Sequence, residues 1–254
     1  MTTSRKITAY VMTKNEEHSI AQCIDALKWC DEIIVADTGS KDRTRQIAAA
    51  RGCRVLETPF EGFGRTRNSI IDQIDSEWIV CFDADEVCTP ELAEEIIAAI
   101  QSGEADAYLA NRRTYLLGRQ VKHSGWNPDY RHAVAFKKSS YRYTERPVHE
   151  SYICEGKVTK LKSSFDHYSF PNLSTLMEKE KTYALLGART MLKEGKKSSM
   201  GKAFFHGAFA FFRHFVLRSG FLDGWCGFVI AISAAHSTFF RYAMVYESEK
   251  QTNK

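Results

Sequence analysis

Apolar and polar positions along the first hundred residues switch repeatedly between two periods. ITAYVM (7–12) reads as a strand, and SIAQCIDALKWC (19–30) places its apolar residues at helical spacing. EIIVAD (32–37), RVLETP (54–59) and EWIVCFD (77–83) read as further strands. Between them, TGSKDRTRQIAAARG (38–52) predicts a turn, a helix and a glycine stop, and GRTRNSIIDQID (64–75) predicts a helix. TPELAEEIIAAIQSG (89–103) opens on a Thr cap with Pro in the first turn and closes on Gly, as a helix should. Strands alternating with helices imply an α/β body, its parallel sheet covered on both faces.

After Gly103 the pattern changes. DAYLANRRTYLLGRQV and HAVAFKKSSYRYT predict longer strands joined by turns, an antiparallel extension of the sheet. From about Ser174 the chain turns helical, and from Lys196 it becomes basic and aromatic. A boundary near 170–175 is expected, with a catalytic body over 1–172 and a C-terminal helical appendix over 173–254.

Composition narrows the class. The 254 residues are 44% hydrophobic and 26% charged, as in a folded globular chain. A net charge of +4 is too weak to point to nucleic acid, and none is expected as a partner. The first residues, MTTSRKITAYVMTKNEE, do not read as a secretory signal. Seven cysteines without CxxC spacing argue against a zinc site or a disulfide framework and suit a reducing cytosol.

The candidate chemistry lies where the predicted strands end. In an open parallel sheet, ligands bind outside the carboxyl ends of the strands. The first strand runs into TKNEE (13–17), and the second ends on Asp37 before TGS. EGFGRTRN (61–68) starts a helix, and the fourth strand ends on Asp83-Ala84-Asp85-Glu86. Three carboxylates in four residues repel unless a positive charge sits on them, and a divalent cation with oxygen ligands would meet that need.

TKNEE, DTGSKDRT and the DAD cluster, with RTRN between them, resemble the inverting glycosyltransferases of family 2. SGWNPDY (124–130), ERPVHES (145–151), DHYSF (166–170) and RSGFLDGWCGF (218–228) extend the likeness to bacterial lipopolysaccharide inner-core β-1,4-glucosyltransferases. One departure is that RHAVAFKK follows PDY where that family commonly carries an Arg-Leu-Phe run. The resemblance implies a GT-A fold, a UDP-sugar donor, Mg²⁺ or Mn²⁺, and a lipopolysaccharide-core or other lipid-linked saccharide acceptor. It implies that Asp85 touches the metal, that Asp83 lies near ribose and metal, and that His167 is a third ligand. Asp37 would meet the uracil, Thr13, Asn15 and Glu16 the base and ribose, Arg67 the base or diphosphate, and Ala84 the donor. Inversion needs a general base, for which the resemblance favours Glu150, with His149 to orient it and Asp129 second.

Two other readings fit parts of the chain. IVCFDADEV also matches the apolar–DxDx(T/V) motif of haloacid-dehalogenase-type phosphatases, whose first Asp is a nucleophile. That family carries the motif on its first strand, whereas three strand–helix units precede it here. A non-catalytic nucleotide-sugar binder would retain the same donor residues. The tail adds a location: between Lys196 and Tyr246 there are six Lys or Arg against one acid, Asp223. Its longest uncharged stretch, Gly224 to Phe240, is seventeen residues, short of the roughly 20 that a spanning helix wants. Much of the aromatic surface is expected to pack on the body. Lys202, Arg213, Arg218 and Arg241 would face anionic lipid, on the cytoplasmic side of a bacterial inner membrane.

Overall fold

The computed structural model describes residues 5–145, 151–170 and 172–252. The N-terminal part is built from β1 (Ile7–Thr13), α1 (Ile20–Asp25), β2 (Glu32–Asp37), α2 (Thr44–Ala50), β3 (Arg54–Glu57), α3 (Phe63–Asp72) and β4 (Trp78–Asp83). These strands are parallel in the order β3-β2-β1-β4. β1 and β4 are buried along nearly their whole length, as their continuous apolar runs require of a sheet covered on both sides. Along β4, Trp78, Val80 and Phe82 enter one core, and Ile79 and Cys81 enter the other. That is the two-residue period of a strand. α1 stops at Asp25, short of the expected 30, because the chain tightens through i→i+3 bonds at Leu27 and Cys30 before entering β2.

A two-residue strand, β5 (Glu86–Val87), follows the acidic cluster and leads into α4 (Pro90–Ser102). α4 has the predicted ends. Thr89 Oγ1 accepts from Leu92 N–H at 3.2 Å, and Gly103 closes the helix at φ 66°. The antiparallel extension comprises β6 (Ala107–Leu116), β7 (Arg119–Gln120), β8 (Ala133–Lys137), β9 (Tyr141–Tyr143), β10 (Tyr152–Cys154) and β11 (Val158–Phe170). β8 pairs antiparallel with β4 and with β6; β11 lies next to β6 and pairs antiparallel with β5. β9 and β10 form a separate antiparallel ribbon.

The chain forms two compact units, one of residues 1–112 and 129–167, the other of 113–128 and 168–254. The hairpin segment 113–128 thus belongs with the C-terminal helices, an excursion that one cut near 172 does not express. In the second unit, α5 (Leu173–Lys193), α6 (Met200–Phe212) and α7 (Trp225–Thr252) are joined by a π-helical turn at Arg213–Leu217 and a 3₁₀ turn at Gly220–Asp223. Asp223, the one acid of the basic stretch, is turned inward. Its carboxylate accepts from Lys122 N–H at 2.9 Å, from His123 N–H at 3.0 Å and from Ser124 Oγ at 2.7 Å.

Two expectations about this tail change. Arg241 is drawn onto α5, where a Cβ at Gly187 would collide with its guanidinium, so it is half-buried rather than lipid-facing. The aromatic residues of α6 also mostly face outward. Ala203, Gly207 and Ala210 are buried, whereas Phe204, Phe205, Phe209 and Phe212 are exposed. Small residues let the α6 and α7 backbones approach closely. A Cβ on Gly207 would stand 3.2 Å from Ala235 O and from Phe239 Cβ.

Candidate active site

β1 lies between β2 and β4, with Thr13 opposite Asp37 and Met12 opposite Asp83. Three of the sequence-predicted residues therefore end at one sheet edge. The two aspartates are separated by two strand spacings, about 10 Å.

Asp37 is buried, and its Oδ1 accepts from the N–H groups of Gly39 (3.0 Å) and Ser40 (2.9 Å). Gly39 takes φ 102°, which the tight turn requires. Asp37 Oδ2 is buried without a hydrogen-bond partner, and so is Thr13 Oγ1 next to it in the register. A buried carboxylate oxygen left unpaired is costly, and a ligand N–H would satisfy it.

Asn15 and Glu16 join two loops. Asn15, at φ 56°, donates its backbone N–H to Ser40 Oγ and accepts from Lys41 N–H through Oδ1, both at 2.8 Å. Glu16 donates its backbone N–H to Thr44 Oγ1 at 2.8 Å, and its carboxylate accepts from Ser19 Oγ at 2.6 Å. Both residues shape the rim beside Thr13 and Asp37.

Arg67 comes from the buried side of α3. Its Nη2 donates to Asp83 Oδ1 at 2.7 Å, its Nη1 lies 3.1 Å from Cys81 Sγ, and its guanidinium stands 5.3 Å from the Tyr143 ring centroid. Asn68, one residue on, exchanges two 2.9 Å hydrogen bonds with the Tyr143 backbone. Burial pushes the Asp83 carboxyl up, but the charge and hydrogen bond of Arg67, with the nearby His132 and His167, together outweigh it and hold Asp83 below the usual carboxylate range. Sequence reading offered Arg67 to the base or diphosphate; in this structure it supports Asp83.

The three clustered carboxylates divide their work. Glu86 is fully buried, and its Oε2 accepts from Asp83 N–H at 2.9 Å, closing the turn through the buried Ala84. Burial, reinforced by Asp83 and Asp85, pushes the Glu86 carboxyl up to about 8. Asp85 lies half-buried in the turn, 3.3 Å from His167 Nε2. The β5–β11 ladder places them so, since it sets His167 opposite Glu86. Among the described residues no group of three or more His, Cys, Asp or Glu side chains gathers as a metal cage. An imidazole and a carboxylate in contact nevertheless suit a cation whose other ligands are phosphate and water oxygens.

Asp129 is braced by arginines. Its Oδ2 accepts from Arg112 Nε at 3.0 Å, and its Oδ1 accepts from Arg131 Nε at 3.2 Å. Arg112 also reaches Glu86, at 3.6 Å, so it ties the acidic turn to the loop before β8. His132 lies near these charges. Burial first, then the Arg67 charge, lowers its imidazole to about 4. Arg112 and His132 escaped sequence reading, although a charged pair inside the strand NRRTY was a signal that one face of β6 meets a polar site. Glu150 and His149 lie outside the described residues.

The profile of glycosyl transferase family 2 matches residues 8–168, more than half of the chain. The chain belongs to this family. Its mixed sheet flanked by helices, with a long C-terminal helical extension, is a GT-A-like α/β fold. An uncharacterized glycosyltransferase of Rickettsia felis is 30% identical over 260 residues, covering 96% of this chain and 90% of its own. The lipopolysaccharide core biosynthesis glycosyltransferase LpsC of Rhizobium meliloti is 27% identical over 255 residues, covering 95% and 92%. Among solved structures, glucosyl-3-phosphoglycerate synthase of Mycobacterium tuberculosis, in complex with Mn²⁺, UDP-glucose and phosphoglyceric acid, is 27% identical. That match covers 43% of this chain and 44% of the synthase, with a TM-score of 0.39. Family membership displaces the phosphatase reading of IVCFDADEV.

Proposed function

We propose that the chain is a metal-dependent inverting glycosyltransferase that moves a hexose, glucose, from a UDP-sugar to a lipopolysaccharide inner-core heptose or a similar lipid-linked saccharide. The observation that carries this reading is Asp37, buried, with one oxygen held by two backbone N–H groups and the other without a partner. Such an oxygen accepts an N–H, which uracil offers at N3 and cytosine does not. The core acceptor is supported by the likeness to LpsC, and glucose by the resemblance of the SGWNPDY and RSGFLDGWCGF motifs to inner-core glucosyltransferases.

Asp83, Asp85 and His167 would hold Mg²⁺ or Mn²⁺. When bound, the cation neutralises the charge gathering on a departing nucleoside diphosphate. Arg67 keeps Asp83 ionised and oriented toward the site. Glu150 takes the proton of the acceptor hydroxyl as that oxygen bonds to the anomeric carbon. The bond to the diphosphate breaks on the opposite face, its electron pair leaving with UDP, so the configuration inverts. Asp129 is less suited to this step, because Arg112 and Arg131 engage both of its oxygens. Residues 1–172 act on the donor, and residues 173–254 meet the acceptor and the anionic, cytoplasmic surface of a bacterial inner membrane.

The test is a screen of nucleotide sugars for metal-dependent binding and hydrolysis. UDP should bind more tightly than GDP, and Asp37→Ala should weaken UDP binding about 10–100-fold even without metal. Glu150→Gln should keep donor affinity while transfer falls about 10²–10⁴-fold. Equal affinity for UDP and GDP overturns the role of Asp37. Donor binding with no transfer or hydrolysis under any metal would leave a binder rather than an enzyme.

A further inference from the structure

Helix α6 is inside out for a helix on a water-facing surface. Its buried positions are Ala203, Gly207 and Ala210, while Phe204 and Phe205 are 73% and 67% exposed. Phe209 and Phe212 continue the outer face, followed by Val216 and Leu217 in the π-helical turn and by Phe221 and Leu222 in the 3₁₀ turn. α7 runs antiparallel to α6: Phe211 packs near Phe228 toward the turn, and His206 stacks on Tyr242 further from it. α7 presents its own exposed apolar stripe at helical spacing, Trp225, Phe228, Ile232 and Phe240. Soluble monomers rarely expose contiguous apolar patches beyond a few hundred Å².

The charges around this face select its occupant. Lys197, Lys202, Arg213 and Arg218 are exposed at the ends of α6 and in the turn that follows it. The acid of the stretch, Asp223, is consumed by the Lys122–Ser124 loop and presents no carboxylate outward. Lys202, Arg213 and Arg218 bordering an aromatic apolar face, with Asp223 drawn inward and Glu194 paired to Lys196 at 2.7 Å, match the interface of an anionic lipid leaflet. α7 is long enough to cross a membrane by length and composition (Trp225–Gln251, mean hydropathy 1.3), but its inner face is closed by α6 and α5, and Arg241 lies within it.

We propose that the α6–α7 hairpin is an in-plane monolayer anchor, its Phe and Trp side chains entering the acyl boundary while the flanking cations meet phosphate headgroups. This rests on the membrane location proposed above and adds to it. The main attachment is apolar insertion, and charge selects the leaflet.

The experiment is flotation of the full chain with vesicles of phosphatidylcholine alone and of phosphatidylcholine with phosphatidylglycerol, at low and at high salt. Wild type should bind the anionic vesicles more tightly at low salt and keep most of its binding to both at high salt. Each outward Phe changed to Ser should weaken binding about tenfold, about 1.4 kcal/mol, so Phe204→Ser/Phe205→Ser should lose about 10². Lys202→Glu/Arg213→Glu should remove the preference for anionic lipid and leave the high-salt binding intact. Because the Phe positions are exposed, the variants should keep wild-type UDP affinity and circular dichroism. A second measurement needs no destabilising change: lipids brominated on the acyl chain should quench wild-type fluorescence, and Trp225→Phe should remove that quenching. Flotation unchanged in the Phe variants, or binding wholly lost at high salt, overturns insertion. A dimer that the Phe changes dissociate, with no vesicle binding, gives the face to a second copy instead. Loss of UDP binding alone, with flotation intact, would fault the donor reading and leave the anchor standing.

Discussion

Replacing Arg67 with Met removes one guanidinium and nearly conserves side-chain volume, so the response isolates charge and hydrogen bonding. Arg67 is 3% and Asp83 is 32% exposed at the side chain, and they meet at 2.7 Å. Removing one partner of a fully buried pair costs about 3–5 kcal/mol, because a charge is left without compensation. Asp83 keeps a third of its surface in water, which screens part of that loss and leaves about 2–3 kcal/mol. Loss of the Tyr143 ring contact at 5.3 Å adds up to about 1 kcal/mol. For a chain of this size each kcal/mol moves Tm by about 2–4 °C, so thermal unfolding without nucleotide or metal should begin roughly 4–16 °C lower. Two compact units need not melt together, so the readout is the onset of the transition of the unit that holds Arg67. Arg67→Met/Asp83→Asn should recover most of the loss, since the stranded charge is gone. If the double variant melts as low as the single one, Arg67 is a packing residue. The claim that it exists to hold Asp83 then fails.

Glu95 clips α4 to β11 by accepting from the backbone N–H groups of Lys162 and Ser163, both at 2.8 Å. Burial raises its carboxyl, but those N–H donors, with the Ser163 side chain and the Lys162 charge, together outweigh it and carry the group below its ordinary value. The stability it adds is therefore present above the unfolded-state value and lost as pH falls through the folded one. Glu95→Gln should cost about 1–2 kcal/mol at neutral pH, and urea titrations should show the difference shrinking below about pH 4; a constant gap would refute this. Gly207→Val should force α6 and α7 apart at a cost of about 1–3 kcal/mol, read as faster proteolysis within the helical unit while UDP affinity stays unchanged; a resistant variant would show that the close approach is dispensable. Thr89→Ala should lower stability by about 1 kcal/mol through loss of the 3.2 Å cap to Leu92 N–H, and Thr89→Ser should restore it.

Most of the sheet was legible because local patterning and tertiary demand agree there. β2 covers EIIVAD without a residue's difference, and α4 starts and stops at the Thr and Gly that its sequence offers. The acidic cluster was legible as a candidate site but not as a division of labour. Asp83, Asp85 and Glu86 look alike in sequence. Which of them turns inward depends on the bend through Ala84 and on a cation arriving from β6, 26 residues later, in the form of Arg112. No local pattern carries that information. Arg67 shows the same limit, because a helical arginine at a strand-end site can meet a ligand or a neighbouring carboxylate with equal chemical sense. In the structure its 2.7 Å bond goes to Asp83.

The C-terminal helices show the opposite relation, a clear pattern whose sense could not be read. A helix with small residues on one face and phenylalanines on the other is amphipathic whichever side is buried. In water the expectation is that the aromatic side packs, since each Phe offers the larger apolar area. That expectation reverses when the surroundings are themselves apolar, because close backbone approach through small residues then supplies the packing. α6 follows the second rule: Gly207 lies against Ala235 and Phe239, and Phe204 and Phe205 face out. The sequence of one helix does not state which of its faces is buried, whereas the burial of Gly207 does. Under the anchor proposed above, an apolar medium meets the outer face of this hairpin, and the salt-resistant part of vesicle binding is the quantity that measures it.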